Sequence, residues 1–154
     1  MLLRELIIPE AIIPSLRANS KKHALQEISE RAGAISDLEP REVFDALLQR
    51  ERLGSTAIGE GIAIPHGKIA RSKAIFAVFA KLARPIEFEA LDGVPVDLIC
   101  ALIAPEAAGA DHLKALARLA RVLRDQKITA KLRAARDVAG LYAVLTGEPA
   151  THAA

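Results

Sequence analysis

Tryptophan is absent, cysteine occurs once, and aromatic residues of all kinds make up 3% of the 154 residues. Each shortage removes a class of function. So few aromatic rings leave no stacking platform on which nucleic-acid bases could lie. One cysteine cannot form an internal disulfide framework, and with four scattered histidines (His23, His66, His112, His152) it supplies no metal-ligand spacing. Cys100 itself falls in the apolar run VDLICALIA, where a free thiol is a small core residue. Long apolar runs are also missing: Ala74 to Ala80 and Leu98 to Ala104 are seven residues each, far below the roughly 18 that a membrane-spanning helix needs. The opening MLLRELIIPEAIIP is interrupted by Arg4, Glu5, Pro9, Glu10 and Pro14, so it does not read as a signal peptide, and a cytoplasmic protein is expected. Charge of one sign is lacking too. A formal net charge of +2 does not point to nucleic acid or membrane as the main partner.

What the chain has in plenty is glycine, in one place. Gly54, Gly59, Gly61 and Gly67 are four of the nine glycines, within the stretch RERLGSTAIGEGIAIPHGK from Arg50 to Lys68. Glycine allows close backbone approach to a ligand, and such loops can aim amide N–H groups at an anion. Ser55 and Thr56 add small hydroxyl donors, and Ile62 to Ile64 reads as a short buried strand. Pro65 fixes its own φ and extends Ile64, so His66 should emerge at a strand end with little freedom. No nucleotide-binding glycine loop and no serine elbow is present. Spacing alone leaves two readings of this stretch, a presented nucleophile or ordinary turns beside a surface histidine.

The remaining elements follow from periodicity. A helix capped by Asn19 or Ser20 carries Ala24, Leu25, Ile28 and Ala32 inward and should end at Gly33. Pro40 suits the first turn of a second helix, which delivers Arg50 and Arg52 to the glycine loop. Ala74 to Leu82 is apolar on both parities, as in a central strand, and Val96 to Ala104 gives another buried strand after the turn signal Asp92-Gly93. A helix from about Ala110 or Asp111 places Leu113, Leu116, Leu119, Ala120 and Leu123 on one arc and Lys114, Arg118, Arg121 and Arg124 on the opposite one. Helices near Ile128 to Ala135 and Val138 to Leu145 follow. The expected fold is α/β, one domain over residues 1–146: a sandwich with a mixed β-sheet flanked by helices on both faces, and a disordered tail at 147–154.

The motif GSTAIGEGIAIPHGK resembles the active-site signature of the IIA domains of the bacterial phosphoenolpyruvate-dependent phosphotransferase system, of the fructose, mannitol and nitrogen-regulatory type. SKKHALQEISERA (20–32), VFDALLQRERL (43–53) and PVDLICALIAP (95–105) resemble the nitrogen-regulatory branch, so the likeness spans about residues 5 to 146. It implies a phosphotransferase that works without metal, nucleotide or other cofactor. His66 would be the phosphorylated histidine, carrying phosphate on Nε2. Arg50 would neutralise phosphoryl oxygens, and His112 would be a second histidine beside the first. From the residues themselves, the hydroxyls of Ser55 and Thr56 and the amide groups of the glycine loop, Gly67 among them, would stabilise the phosphoryl group. The donor implied is a phosphohistidine carrier of the HPr type or its nitrogen-branch relative, and the role that of a regulatory IIA protein. Two alternatives stand beside it. A sugar-specific IIA protein would pass phosphate from His66 to a transporter subunit. A binding module would instead use the basic stretch 114–136, where eight cations face one acid, Asp125.

Overall fold

Two prolines and an apolar start fold into an edge of the sheet. The computed structural model describes residues 1–148. A short helix α1 (Leu3–Leu6) and a 3-10 turn at Pro9–Ala11 lead into strand β1 (Ile12–Leu16). This strand was not expected, because Pro14 lies within it. Proline removes a ladder donor and is tolerated at an edge or a bulge. β1 is such an edge, and its register against its neighbour shifts between Ile13 and Leu16, around the proline.

Helices α2 (Lys21–Ala34) and α3 (Pro40–Arg52) come next. Ser20 caps α2 by accepting from the His23 N–H. Gly33 does not end this helix but lies inside it. A Cβ there would come within 2.6 Å of the Pro40 ring, so the glycine allows α2 to meet the start of α3. After α3 come the short strands β2 (Ala57–Gly59), β3 (Ile62–Ala63) and β4 (His66–Ile69), then the long strands β5 (Phe76–Ile86) and β6 (Val96–Pro105). Helices α4 (Ala110–Arg124), α5 (Gln126–Ala134) and α6 (Val138–Thr146) complete the chain, the last two capped by Asp125 and Asp137.

The six strands form one mixed sheet in the order β1-β5-β6-β3-β2, with β4 also paired to β6. β5 and β6 are antiparallel, whereas β1 on β5 and both β3 and β4 on β6 are parallel. From Leu98 to Ala104 every residue of β6 is fully buried, so both faces of the sheet centre are covered. Helices α2 and α3 pack on each other and on β5 and β4; α1, α4 and α6 contact β5, β6 and β1 respectively. Burying an apolar side chain such as Leu98 or Leu102 contributes about 1.5–3 kcal/mol, which makes β6 the strand on which the others are registered. The expected α/β sandwich is what the chain forms.

The tail expected from Gly147 onward begins with two placed residues. Gly147 adopts positive φ and donates to the Ala143 carbonyl, while Glu148 pairs with Arg4 at 2.6 Å. The rest of that expectation, residues 149–154, lies outside the described residues. Among the described residues no helix is long and apolar enough to cross a membrane.

Candidate active site

One edge of β6 is occupied twice. β3 pairs with it at Leu98 and Ile99, then β4 pairs with it from Leu102 to Pro105. The interruption between them is Ile64-Pro65, where proline offers no N–H to the ladder. The Pro65 carbonyl nevertheless accepts from Leu102 N–H at 2.8 Å, so the chain is held on β6 immediately before His66. The half-buried imidazole therefore leaves a fixed backbone.

Its ring is fixed as well. Nδ1 of His66 lies 2.9 Å from the Ile64 carbonyl oxygen. A carbonyl oxygen only accepts, so a neutral ring making this bond carries its proton on Nδ1 and leaves the lone pair on Nε2. Burial, joined by repulsion from the Arg50 guanidinium, holds the His66 pKa below its ordinary value, although the Ile64 bond and the Glu51 charge act the other way. The ring is thus predominantly neutral at pH 7.

His112, in the first turn of α4, places its ring centroid 5.8 Å from that of His66, at an interplanar angle of 51°. It is 5% exposed, and its Nδ1 has no hydrogen-bond partner among the described residues. Burial lowers its pKa, and the neighbouring His66 and Lys68 lower it further. Arg50, in the last turn of α3, donates from one guanidinium nitrogen to the Gly54 carbonyl at 2.9 Å. With His66 it lines a cleft of about 380 Å³ whose walls include Ile58, Ile64, Leu113, Leu116, Ala120 and Arg124. A larger groove of about 500 Å³ lies elsewhere, at Arg17, Asn19, His23 and Arg84, but its one imidazole is already tied to Asn19 and Glu27. The smaller cleft is the one that joins His66 to Arg50, with His112 beside the His66 ring.

The family profile described as "Phosphoenolpyruvate-dependent sugar phosphotransferase system, EIIA 2" matches residues 5–147. The chain belongs to this EIIA 2 family. It is 58% identical over 153 residues to the nitrogen regulatory protein of Bradyrhizobium diazoefficiens, covering 99% of this chain and 100% of that protein. Among solved structures it is similar to nitrogen regulatory protein IIA-Ntr from Neisseria meningitidis, with a TM-score of 0.87 and 35% identity over 93% of this chain and 97% of the other. It is also similar to IIA mannitol from Escherichia coli, with a TM-score of 0.75 and 25% identity over 90% and 98%.

Within this EIIA 2 domain the three main residues expected from the sequence, His66, Arg50 and His112, come together. Two of the three expected phosphoryl donors are engaged elsewhere. Ser55 Oγ donates to the Phe88 carbonyl at 2.9 Å, and buried Thr56 gives both its N–H and its hydroxyl to Glu51. A hydroxyl has one proton, so in this arrangement neither can give it to a phosphoryl oxygen as well. Gly67 is explained by packing: a Cβ there would sit 3.1 Å from the Ala46 Cβ, so the glycine lets β4 lie close on α3. Gly61 likewise serves a hairpin. Glu60 and Gly61, both at positive φ, turn β2 into β3, and the Arg133 guanidinium occupies the place of a Cβ on Gly61.

Sequence reading missed Arg124 and the apolar wall. The leucines of α4 do not all face inward: Leu119 and Leu123 are buried, but Leu113 is 66% exposed beside the cleft. α4 therefore flanks the cleft along several turns, and its first turn sets His112 beside the His66 ring. The basic stretch 114–136 is likewise not one surface. Arg124 turns to the cleft, while Arg133 forms a bidentate pair with Asp97 and donates to the Glu60 carbonyl.

Proposed function

We propose that this chain is a phosphoryl carrier that receives phosphate on Nε2 of His66 from a phosphohistidine carrier of the HPr or NPr type, and that it works in the cytoplasm as a nitrogen-linked regulatory IIA protein. The observation that carries this reading is the hydrogen bond from His66 Nδ1 to the Ile64 carbonyl, in a ring that lines a cleft with Arg50 and lies beside His112. Attack by the Nε2 lone pair forms the new P–N bond as the donor's P–N bond breaks, and the donor imidazole leaves with that electron pair. Positive charge develops on the His66 ring, where the Ile64 carbonyl stabilises the Nδ1–H. Negative charge spread over the phosphoryl oxygens meets Arg50. No activating base is needed, because burial already keeps the imidazole neutral.

Intact mass after incubation with phosphoenolpyruvate and the upstream carrier proteins tests this directly. One acid-labile phosphoryl group is expected on the wild type and none on His66→Ala. Label retained by that variant would falsify the assignment.

A sugar-transport role is the second reading, supported by the likeness to IIA mannitol. It uses the same chemistry at His66 and differs in what happens next. A regulator needs a partner that distinguishes the two charge states, since phosphorylation adds about −1.5 to −2 charge at the cleft. Baits of phosphorylated wild type and of His66→Ala should recover different proteins. If a permease subunit that accepts the phosphate is the one specific interactor, the transport reading replaces the regulatory one.

A further inference from the structure

An acid is buried behind the cleft, and no step assigned so far uses it. Glu51 is 6% exposed and sits in the last turn of α3 next to Arg50. Its two carboxylate oxygens lie 2.8–3.0 Å from the backbone nitrogen and the hydroxyl of Thr56, itself 6% exposed. The Lys21 ammonium stands 3.8 Å from Glu51, over the Phe88 ring, but makes its close pair with Glu89 at 2.9 Å. Burying a carboxylate is costly unless its acceptors are filled. Thr56 fills them, so the acid and the threonine form one clamp.

That clamp connects to the nucleophile through backbone. The Thr56 carbonyl accepts the Ile64 N–H at 3.0 Å, and the Ile64 carbonyl accepts His66 Nδ1–H at 2.9 Å. On the other side the Pro65 carbonyl is bound by Leu102 N–H, so the Ile64–Pro65 peptide is held between two anchors, one on β6 and one on Thr56. Releasing the Thr56 anchor frees the Ile64 carbonyl to turn from the ring. Histidine in water favours the opposite tautomer, with the proton on Nε2, and in that form the nitrogen that must attack has no lone pair to give.

We propose that Glu51 is a positioning residue which, through Thr56 and Ile64, imposes the Nδ1–H tautomer on His66 and so keeps Nε2 nucleophilic. An ionised carboxylate suits this task because it accepts from both Thr56 donors at once, whereas an amide would turn a donor of its own toward one of them. The proposal rests on His66 being the phosphoryl acceptor, but its structural half can be read without any phosphoryl transfer.

The test uses the full-length, 15N-labelled protein and two-bond ring 15N–1H correlations at neutral pH, with the His66 signals assigned by their loss in His66→Ala. Wild type should show the Nδ1–H pattern. Glu51→Gln and Thr56→Val should shift His66 toward Nε2–H and slow phosphorylation by about tenfold to a hundredfold, by analogy with the loss when the outer hydrogen-bond partner of a metal-ligating histidine is removed. Thr56→Ser, which restores the hydroxyl, should restore both readouts. If Glu51→Gln does not fold, the Thr56→Val and Thr56→Ser pair decides. An unchanged Nδ1–H pattern and rate in Thr56→Val and in folded Glu51→Gln overturns the proposal. A wild type that accepts no phosphoryl group overturns the functional reading instead, and the tautomer measurement still decides this one.

Discussion

An imidazole can attack phosphorus only with an unprotonated nitrogen, and the surroundings of His66 secure this in two ways. The Ile64 carbonyl chooses which nitrogen is free, and burial delays protonation of that nitrogen. The second effect has a definite sign. A histidine whose folded pKa lies below its ordinary 6.5 contributes stability above that value, lost as pH falls through the lowered pKa, because the unfolded chain takes the proton more readily. His112, lowered by burial and by His66, adds in the same direction. The His66 ring should therefore titrate below 6.5 by NMR, and its phosphorylation rate should stay flat from about pH 8 down to that value before declining. A midpoint at or above 6.5 in the titration would contradict the burial argument. Arg50→Ala and His112→Ala should each slow transfer without preventing it, by about a hundredfold or more, the usual loss when one donor to developing charge is removed. Single-turnover rates within about threefold of wild type for both would place neither side chain on the phosphoryl group. His66 was legible in the sequence because Pro65 and Gly67 flank it in a recognisable signature. Glu51 was not, since an acid between Arg50 and Arg52 reads as one more solvated charge until the 51–56 turn folds it inward.

At the scale of elements, glycines that look alike in a signature do different work. Gly61 makes a tight hairpin and Gly67 a close strand–helix contact, and packing alone is enough to demand a glycine at each. Sequence reading grouped them because a ligand and a neighbouring helix make the same demand for the absence of a side chain. The long helices and β5 and β6 were legible from their period and caps, whereas β1 was hidden by Pro14 and the inward turn of Gly33 by Pro40, contacts that depend on what packs opposite. Gly67→Val measures the packing assignment. Its side chain would have to displace β4 from the backbone of α3, and over-packing of this kind costs about 1–3 kcal/mol. Urea unfolding should show that loss as a lower midpoint with an unchanged slope. Wild-type stability in this variant would mean that the β4–α3 contact has room, and would reopen a ligand role for Gly67.

On the proposed function the whole molecule must present His66 to another protein, and that demand would explain an arrangement that local patterns do not. α4 has a continuous apolar arc, which by period alone belongs in a core. Folding buries half of it and leaves Leu113, Leu116 and Ala120 lining the cleft together with Arg50 and Arg124. Apolar side chains among charged ones suit a surface that meets a partner, and on the proposed function a phosphohistidine donor must bring its own histidine against the His66 ring. The alanine-rich turn after β6 (Glu106–Ala108) contributes no residue to the cleft lining. Leu113 is the exposed leucine of that wall, so Leu113→Glu should weaken donor docking while leaving the core untouched. The expected outcome is a KM for the phosphocarrier raised about tenfold, or about 1.4 kcal/mol, with kcat held within about threefold. Leu91→Glu is the matched control, because Leu91 is fully exposed and lies outside the cleft lining. If both substitutions raise KM equally, general charge repulsion accounts for the effect. If Leu113→Glu leaves KM unchanged, the donor reaches His66 from another side, and the apolar wall of α4 needs a different occupant.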